Sequence, residues 1–350
     1  MMKAGVVHGL KDIRLEDINK PEPNENQVLI KVKYTGICGS DVPRVNEGAC
    51  HFYPNVLGHE FSGVVEKIGE NVTSLKVGDR VAGVPLVPCM ECEDCQKGNY
   101  SLCKHYSFIG SREFGSFAEY VVVPEKNAVK FEDEVSFEQG AFFEPATVAL
   151  HGLQRVNYEG GKTVAILGGG TIGLFTMQWA KIFGAKKVVV FDINNERLEL
   201  AKKLGADDVI NTLEENFMDN ALNLTNNKGY DYVYETAGNT ITMKMAFVLA
   251  GNKAGVCFIG TPTKELSFTV KEWEQMNRKE FTLTGSWMSY SAPFPGKEWE
   301  LTAHYFKTGA LKFDDSLIYK KIPLKEIDSA FEMYRENLVK GKLLIDSEGI

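Results

Sequence analysis

The sequence predicts an α/β protein of two parts: a β-rich region with long loops, then a doubly wound parallel sheet with helices on both faces. Three observations predict it. Residues 1 to about 135 are broken by Gly and Pro into short β-rich runs, and from about residue 160 apolar strand-like runs alternate with helical stretches. The first strand of that alternation ends in a glycine-rich turn that opens a helix. Alternating strands and helices bury a parallel sheet between helical layers. At 350 residues the chain exceeds the roughly 100–200 residues usual for one domain, so two are expected.

In chain order, MMKAGVVHGLKDIRLEDI reads as two amphipathic strands joined by a turn and lacks the apolar run of a signal peptide. QVLIKVKYTGI, FSGVVEKIG, DRVAGVPLV and GSFAEYVVVP follow as strands. KTVAILGG then precedes the helical TIGLFTMQWAKIFGA, and KVVVFDI precedes NERLELAKKLGA. DDVINT, YDYVYETAG, AGVCFIG and FTLTGSW supply further strands, and AGVCFIGT and FTLTGSW are candidates to extend a sheet between subunits. After Trp287 the alternation breaks, and a helical stretch, SAFEMYRENLVKG, mixes with short strands.

Apolar residues at 44% and charged residues at 25% are ordinary for a folded globular chain. The net charge of -8 repels nucleic-acid backbones and acidic membrane surfaces, so neither is an expected partner. No stretch approaches the roughly 20 apolar residues of a spanning helix. Seven cysteines, an odd number without an export signal, point to reduced thiols in the cytoplasm, and their clustering there points to metal.

Gly168-Gly169-Gly170-Thr171-Ile172-Gly173 fits G-x-G-x-x-G between the strand TVAIL and a helix. Gly168 permits the tight turn, Gly170 lets backbone approach a pyrophosphate, and Gly173 lets helix and strand pack closely. The helix start at Thr171 and Ile172 offers unpaired N–H groups to phosphate. Asp192 ends the next strand, 19 residues after Gly173, where a carboxylate accepts hydrogen bonds from ribose hydroxyls and repels a 2'-phosphate. NAD is therefore expected over NADP, with Arg197 close enough in sequence to blunt the preference. Glu235-Thr236-Ala237-Gly238 and Ile259-Gly260-Thr261 end later strands, which places Ala237 and Gly260 among the expected cofactor contacts.

Cys89, Cys92, Cys95 and Cys103 have two residues in each of the first two gaps and seven in the last. Short gaps let a loop fold around a tetrahedral ion, and four thiolates complete its shell with no position left for substrate. A structural zinc is expected, with an iron-sulfur cluster as the rival for four thiolates. A second, open site has scattered candidates: Cys38 in GICGSD, His59 and Glu60 in LGHEFSG, and Glu144 in FFEPAT. One thiolate, one imidazole and one carboxylate leave a dication a fourth position for water or substrate oxygen. Cys50 and His51 compete by residue type, and spacing does not exclude them. Cys257, inside a β-run, is expected in the core.

Together, GICGSD, GHE, the C-x2-C-x2-C-x7-C run, the E-P at Glu144 and GGGTIG resemble the zinc-dependent medium-chain dehydrogenase/reductase family over essentially the whole chain. The resemblance implies a GroES-like catalytic domain at 1–145, returning at 288–350, around a Rossmann domain at 146–287. It implies that Cys38, His59 and Glu144 bind a catalytic zinc, as in the polyol-dehydrogenase branch, with Glu60 sometimes a ligand and sometimes a neighbour of one. Asp41 matches a residue that orients the zinc-bound His, Thr147 one lining the nicotinamide pocket, and Lys342 a base near Glu60 or the cofactor. CGSDVPRV, YPNVLGHEFSG, FIGSREFGSFAEY and RKEFTLTGSWMSYSAPFPGKEWE resemble sugar-alcohol-phosphate dehydrogenases of that branch.

The implied activity is oxidation of a secondary alcohol with NAD and two zinc ions per chain, in a homodimer or homotetramer. A neutral polyol such as sorbitol, or threonine, is the alternative substrate. Many members carry a proton-relaying His where this chain has Pro43, so the relay is expected through Ser40 and water or the cofactor ribose. Arg44 beside it suits a phosphate, which a guanidinium grips with two bonds. Arg112 and Lys297 are further phosphate candidates.

Overall fold

Where Gly and Pro punctuate the chain, its apolar runs become short antiparallel strands. The computed structural model describes residues 1–350. One unit comprises Met1–Glu144, Tyr290–Gly309 and Phe313–Ile350; the other comprises Pro145–Ser289 and Ala310–Lys312.

In the first unit, Met2–Gly9 and Asp12–Ile18 form a hairpin turned at Lys11, whose φ is +56°, and Asn55–Val56 pairs with the first of them. Met2–Gly9 differs from the amphipathic expectation, since Met2, Ala4, Val6 and Val7 are all buried. The reason is a helix near the C-terminus, Ile327–Arg335, whose Ile327, Ala330 and Phe331 enter the same apolar cluster. A side chain at Gly5 would meet Ile327 at 2.7 Å.

The larger sheet of this unit has seven strands, in the spatial order Ala128–Lys130, Arg80–Gly83, Glu60–Ile68, Gln27–Gly36, Lys342–Asp346 and Ile318–Pro323, with Tyr120–Pro124 also on Gln27–Gly36. Lys342–Asp346 runs antiparallel to Gln27–Gly36, with Leu344 opposite Gly36. The end of the chain thereby returns beside the strand that leads into Cys38.

The second unit is a six-stranded sheet, parallel throughout, in the spatial order Asp208–Asn211, Lys187–Asp192, Thr163–Leu167, Tyr230–Glu235, Ala250–Phe258 and Thr282–Gly285. Numbered along the chain this is 3-2-1-4-5-6, the Rossmann order, whose direction reverses between the first and fourth strands. Apolar β-branched runs such as TVAIL and KVVVF are buried because helices cover both faces. The helix Thr171–Ile182 buries every residue from Gly173 to Ala180, and Trp179 Nε1 donates to the Ala146 carbonyl at 2.8 Å. One sequence expectation fails here. AGVCFIG is paired on both sides, so it has no edge to offer another subunit; Thr282–Gly285 is an edge strand, as is Asp208–Asn211 at the other end of the sheet. The helices Thr240–Leu249, Val270–Lys279 and Lys297–Lys307 also went unread in the sequence. No helix is long and apolar enough to cross a membrane.

Candidate functional site

The strand Gln27–Gly36 ends beside the strand Glu60–Ile68, with Gly36 directly opposite Glu60. The bare backbone of Gly36 leaves room for the Glu60 carboxylate, which a side chain there would push aside. Just beyond, Asp41 opens a short helix, Asp41–Asn46, and turns its carboxylate inward. Its Oδ2 accepts the Cys38 N–H at 3.1 Å, and its Oδ1 lies 3.4 Å from His59 Nδ1. The sulfur of Cys38, a ring nitrogen of His59 and a carboxylate oxygen of Glu60 all lie within 4.8 Å of one another. With Nδ1 facing the Asp41 carboxylate, Nε2 is the nitrogen left for a cation. Lys342 Nζ, from the returning C-terminal strand, donates to Glu60 Oε1 at 2.8 Å and to the Ile37 carbonyl at 3.2 Å.

Glu144, in the first turn of the helix Phe143–Gln154, stands outside that trio but feels its charge. Burial and then Glu60 push its carboxyl up to about 7. Burial alone would lower the His59 pKa, yet the neighbouring Asp41 and Cys38 raise it well above the usual value. Asp41 and Glu60 are buried. Buried carboxylates need compensation; in the ligating state, with the Cys38 thiol ionised and His59 neutral, Asp41, Glu60, Glu144 and Cys38 outnumber the cations Lys342 and Arg44 and leave a negative surplus. A dication fits that surplus, and a sulfur, nitrogen and oxygen donor set suits zinc. The structure thus brings Glu60 into the donor set and leaves Glu144 at its margin.

The four clustered cysteines meet in the loop closed by the pairing of Leu86–Val87 with Ser107–Phe108. Cys89 Sγ lies 3.9 Å from Cys95 Sγ and 3.5 Å from Cys103 Sγ. A tetrahedron with zinc-sulfur arms near 2.3 Å has edges of about 3.8 Å; these two separations match such edges, and all four sulfurs lie within 4.8 Å of one another. All seven cysteines are free thiols. Backbone N–H donors, that of Cys95 foremost, lower the Cys92 thiol to about 6, whereas burial raises Cys95 to about 12. A bound ion would ionise all four.

In the second unit, Gly168 takes φ +108° at the end of its strand, and a side chain at Gly173 would overlap the Gly168 carbonyl. A side chain at Gly170 would meet nothing within 4 Å, so open space lies above the helix start at Thr171 and Ile172. That cradle is of the kind a pyrophosphate fills. Asp192 accepts the Gly169 N–H at 2.7 Å and the Asn194 N–H at 2.9 Å, and Arg197 stands 3.7 Å from it. Ala237 packs on the Gly168 turn, and Gly260 admits Gly238 with no room for a side chain.

Other sequence candidates are placed as follows. The Thr147 hydroxyl is buried and bonded to that of Ser289 at 2.8 Å. One Arg44 amino group donates to the Ser40 carbonyl at 2.8 Å and the Ser40 hydroxyl at 2.9 Å. Arg112 is exposed and lies over the Tyr106 ring at 4.6 Å; Lys297 is exposed at the start of its helix. Cys50 and His51 do not join the donor trio, since the Cys50 thiol points to the Arg44 carbonyl at 3.5 Å. Cys257 is buried in its strand.

The sequence reading did not single out the Glu235 side chain or Tyr290. Glu235 binds its own loop, and the Tyr290 hydroxyl accepts the Leu86 N–H at 3.2 Å. A buried Glu ending an apolar strand was the available signal for the first; the second had none.

Two family models match: the alcohol dehydrogenase GroES-like domain over residues 24–133 and the zinc-binding dehydrogenase over residues 171–304. Over 334 residues the chain is 39% identical to galactitol 1-phosphate 5-dehydrogenase of Escherichia coli (strain K12), covering 95% of this chain and 96% of the relative. It is 37% identical over 268 residues to sorbitol dehydrogenase of Bacillus subtilis (strain 168), covering 75% and 76%. The crystal structure of galactitol-1-phosphate dehydrogenase from Escherichia coli superposes with a TM-score of 0.93 at 38% identity, covering 99% of this chain and 100% of that one. The chain belongs to the zinc-dependent medium-chain dehydrogenase/reductase family. Within it, the chain is similar to the polyol and polyol-phosphate dehydrogenases.

Proposed function

We propose that the protein is an NAD-dependent zinc dehydrogenase that oxidises a secondary hydroxyl of galactitol 1-phosphate to the keto-sugar phosphate. The observation that carries this reading is the Cys38–His59–Glu60 donor trio, in a chain 39% identical to a galactitol 1-phosphate 5-dehydrogenase over 95% of its length. Cys38, His59 and a carboxylate of Glu60 or Glu144 would hold one zinc, and Cys89, Cys92, Cys95 and Cys103 a second. At the first site zinc supplies a Lewis acid that lowers the pKa of the substrate hydroxyl, and NAD supplies the hydride acceptor.

Around these groups the chain's own residues bind, orient and move protons. Asp41 fixes the ring of His59, and Lys342 fixes the carboxylate of Glu60. The exposed Ser40 hydroxyl accepts one bond from Arg44 and keeps a lone pair for the substrate proton, releasing its own to water. That route stands in for the side chain Pro43 cannot supply. Asp192 would take the ribose hydroxyls, and its charge disfavours a 2'-phosphate. A homodimer or homotetramer would use the open edge of Thr282–Gly285. The cytoplasm would keep the thiols reduced.

A relative that acts on sorbitol favours a second reading, a neutral polyol as substrate. Turnover of purified protein with NAD on galactitol 1-phosphate, galactitol, sorbitol and threonine separates the two, alongside metal analysis. The expected result is two zinc ions per chain and kcat/KM at least about tenfold higher for the phosphorylated polyol, the scale of charge-assisted bonds. Equal kcat/KM for galactitol and its phosphate would overturn the substrate; absence of metal would overturn the chemistry.

A further inference from the structure

We propose that Arg44, His51 and Arg112 form the phosphate-binding rim of the Cys38–His59–Glu60 site. The inference rests on the polyol-phosphate reading above and assigns that reading's charged end to three side chains from three separate segments.

The segments are tied to one another and to the site. Arg44 lies on the helix Asp41–Asn46, and its amino group is anchored to Ser40, two residues beyond Cys38. The Arg44 carbonyl faces the Cys50 thiol at 3.5 Å, which brings residues 50 and 51 against the end of that helix. On its other side the 50–55 loop is joined to the 108–114 loop: Phe52 stacks on Phe114 with ring centroids 6.2 Å apart, and Asn55 Nδ2 donates to the Ser111 carbonyl at 2.9 Å. Arg112 in turn hangs from Phe108, whose carbonyl accepts its N–H at 2.8 Å and whose ring meets the edge of His59 at 5.4 Å. Each arginine is therefore one residue removed from the donor trio, Arg44 through Ser40 and Arg112 through Phe108, and His51 sits on the loop between them.

The charges of the three agree with this placement. No carboxylate pairs with Arg112, whose cation rests only on the Tyr106 ring. Burial first, then Arg112 and Arg44, hold the His51 imidazole below its usual pKa, so both cations act at His51. Arg44 keeps one contact to the buried Asp41 at 3.4 Å, but Arg112 has no carboxylate to balance it, and in a chain of net charge -8 an unpaired cation beside a buried metal-type site suits an anionic ligand. Planar guanidinium groups match the oxygens of a phosphomonoester with paired, charge-assisted bonds. His51 enters as a further donor, in place of the metal ligand its residue type first indicated.

The test compares wild type with Arg112→Gln and His51→Gln, both at exposed positions outside the core, in NAD-dependent turnover of galactitol 1-phosphate and of galactitol. Arg112→Gln is expected to raise KM for the phosphorylated polyol about 10- to 100-fold with kcat largely kept, and His51→Gln by a smaller factor. Inorganic phosphate should inhibit wild type competitively and the Arg112 variant far more weakly. If wild type prefers the phosphorylated polyol and both variants keep that preference, the rim is wrong while the substrate stands. If wild type shows no preference, the substrate reading itself falls.

Discussion

At the end of its strand, Glu235 turns its carboxylate back on its own chain, accepting the N–H groups of Ala237 and Gly238 at 3.0 Å and the Thr242 hydroxyl at 2.7 Å. Burial nevertheless raises its pKa above the usual 4.5, outweighing those donors. An acid whose folded pKa is raised stabilises the fold most below its unfolded value, and that contribution is lost as pH rises through the folded value. Denaturant unfolding of wild type and Glu235→Gln from pH 4.5 upward should therefore show a stability difference that shifts against wild type with rising pH. A difference independent of pH would refute this account of the loop. The sequence marked ETAG as a cofactor loop by its place after a strand, but not that the acid faces inward; that depends on Gly238 at φ +64°, which folds the loop over the carboxylate. The same limit applies at the metal site. Cys38, His59, Glu60 and Glu144 were legible by residue type, whereas the choice of carboxylate depends on strand pairing. Glu60 opposite Gly36 is a matter of register, and Lys342 reaches Glu60 across 282 positions of sequence.

The cysteine loop reads differently as an element than as four ligands. Its spacing alone indicated a closed tetrahedral site, and the sulfurs meet as that spacing requires. What the loop rests on was not legible, because its support comes from nearly two hundred residues away. Tyr100 meets the edge of Phe294 at 5.3 Å, Phe294 stacks on Tyr290 at 5.8 Å, and the bare backbone of Gly98 leaves room for Ala292. The base of the loop adds the bond from Leu86 N–H to the Tyr290 hydroxyl. Burial and then the charge of Glu144 raise the Tyr290 pKa, so the ring that supports the loop also senses that carboxylate. A structural metal loop thus braces a wall beside the catalytic candidates. Tyr100→Ala removes an edge-on ring contact worth about 0.5–1.5 kcal/mol beyond its area. It should lower the melting temperature by a few degrees and reduce kcat/KM while metal analysis still finds two zinc ions per chain. Loss of one zinc in this variant would mean that the ring holds the loop itself and not the wall.

Across the whole molecule, the two kinds of site divide between the two units without overlap. Every candidate metal ligand, from Cys38 to Glu144, belongs to the unit built on antiparallel strands, and the turn at Gly168, Asp192, Ala237 and Gly260 belong to the parallel sheet. That division follows from the sequence periods: irregular β-runs fold into a sheet whose loops can be long enough to gather scattered ligands, whereas regular strand-helix alternation yields a switch point with a helix start above it. The parallel sheet also has its own apolar core, from Ala165 and Leu167 through Phe191, Val233 and Phe247 to Phe281, none of it drawn from the metal-binding segments. Cofactor binding should therefore survive loss of both ions. Protein stripped by chelator should bind NADH, followed by its fluorescence, within about twofold of the zinc-loaded affinity, as expected for sites that share no partners, while turnover falls to background. Readdition of zinc should restore turnover with little change in NADH affinity. A large fall in NADH affinity on stripping would instead show that the metals organise the dinucleotide site, and the separation of binding from chemistry between the two sheets would have to be abandoned.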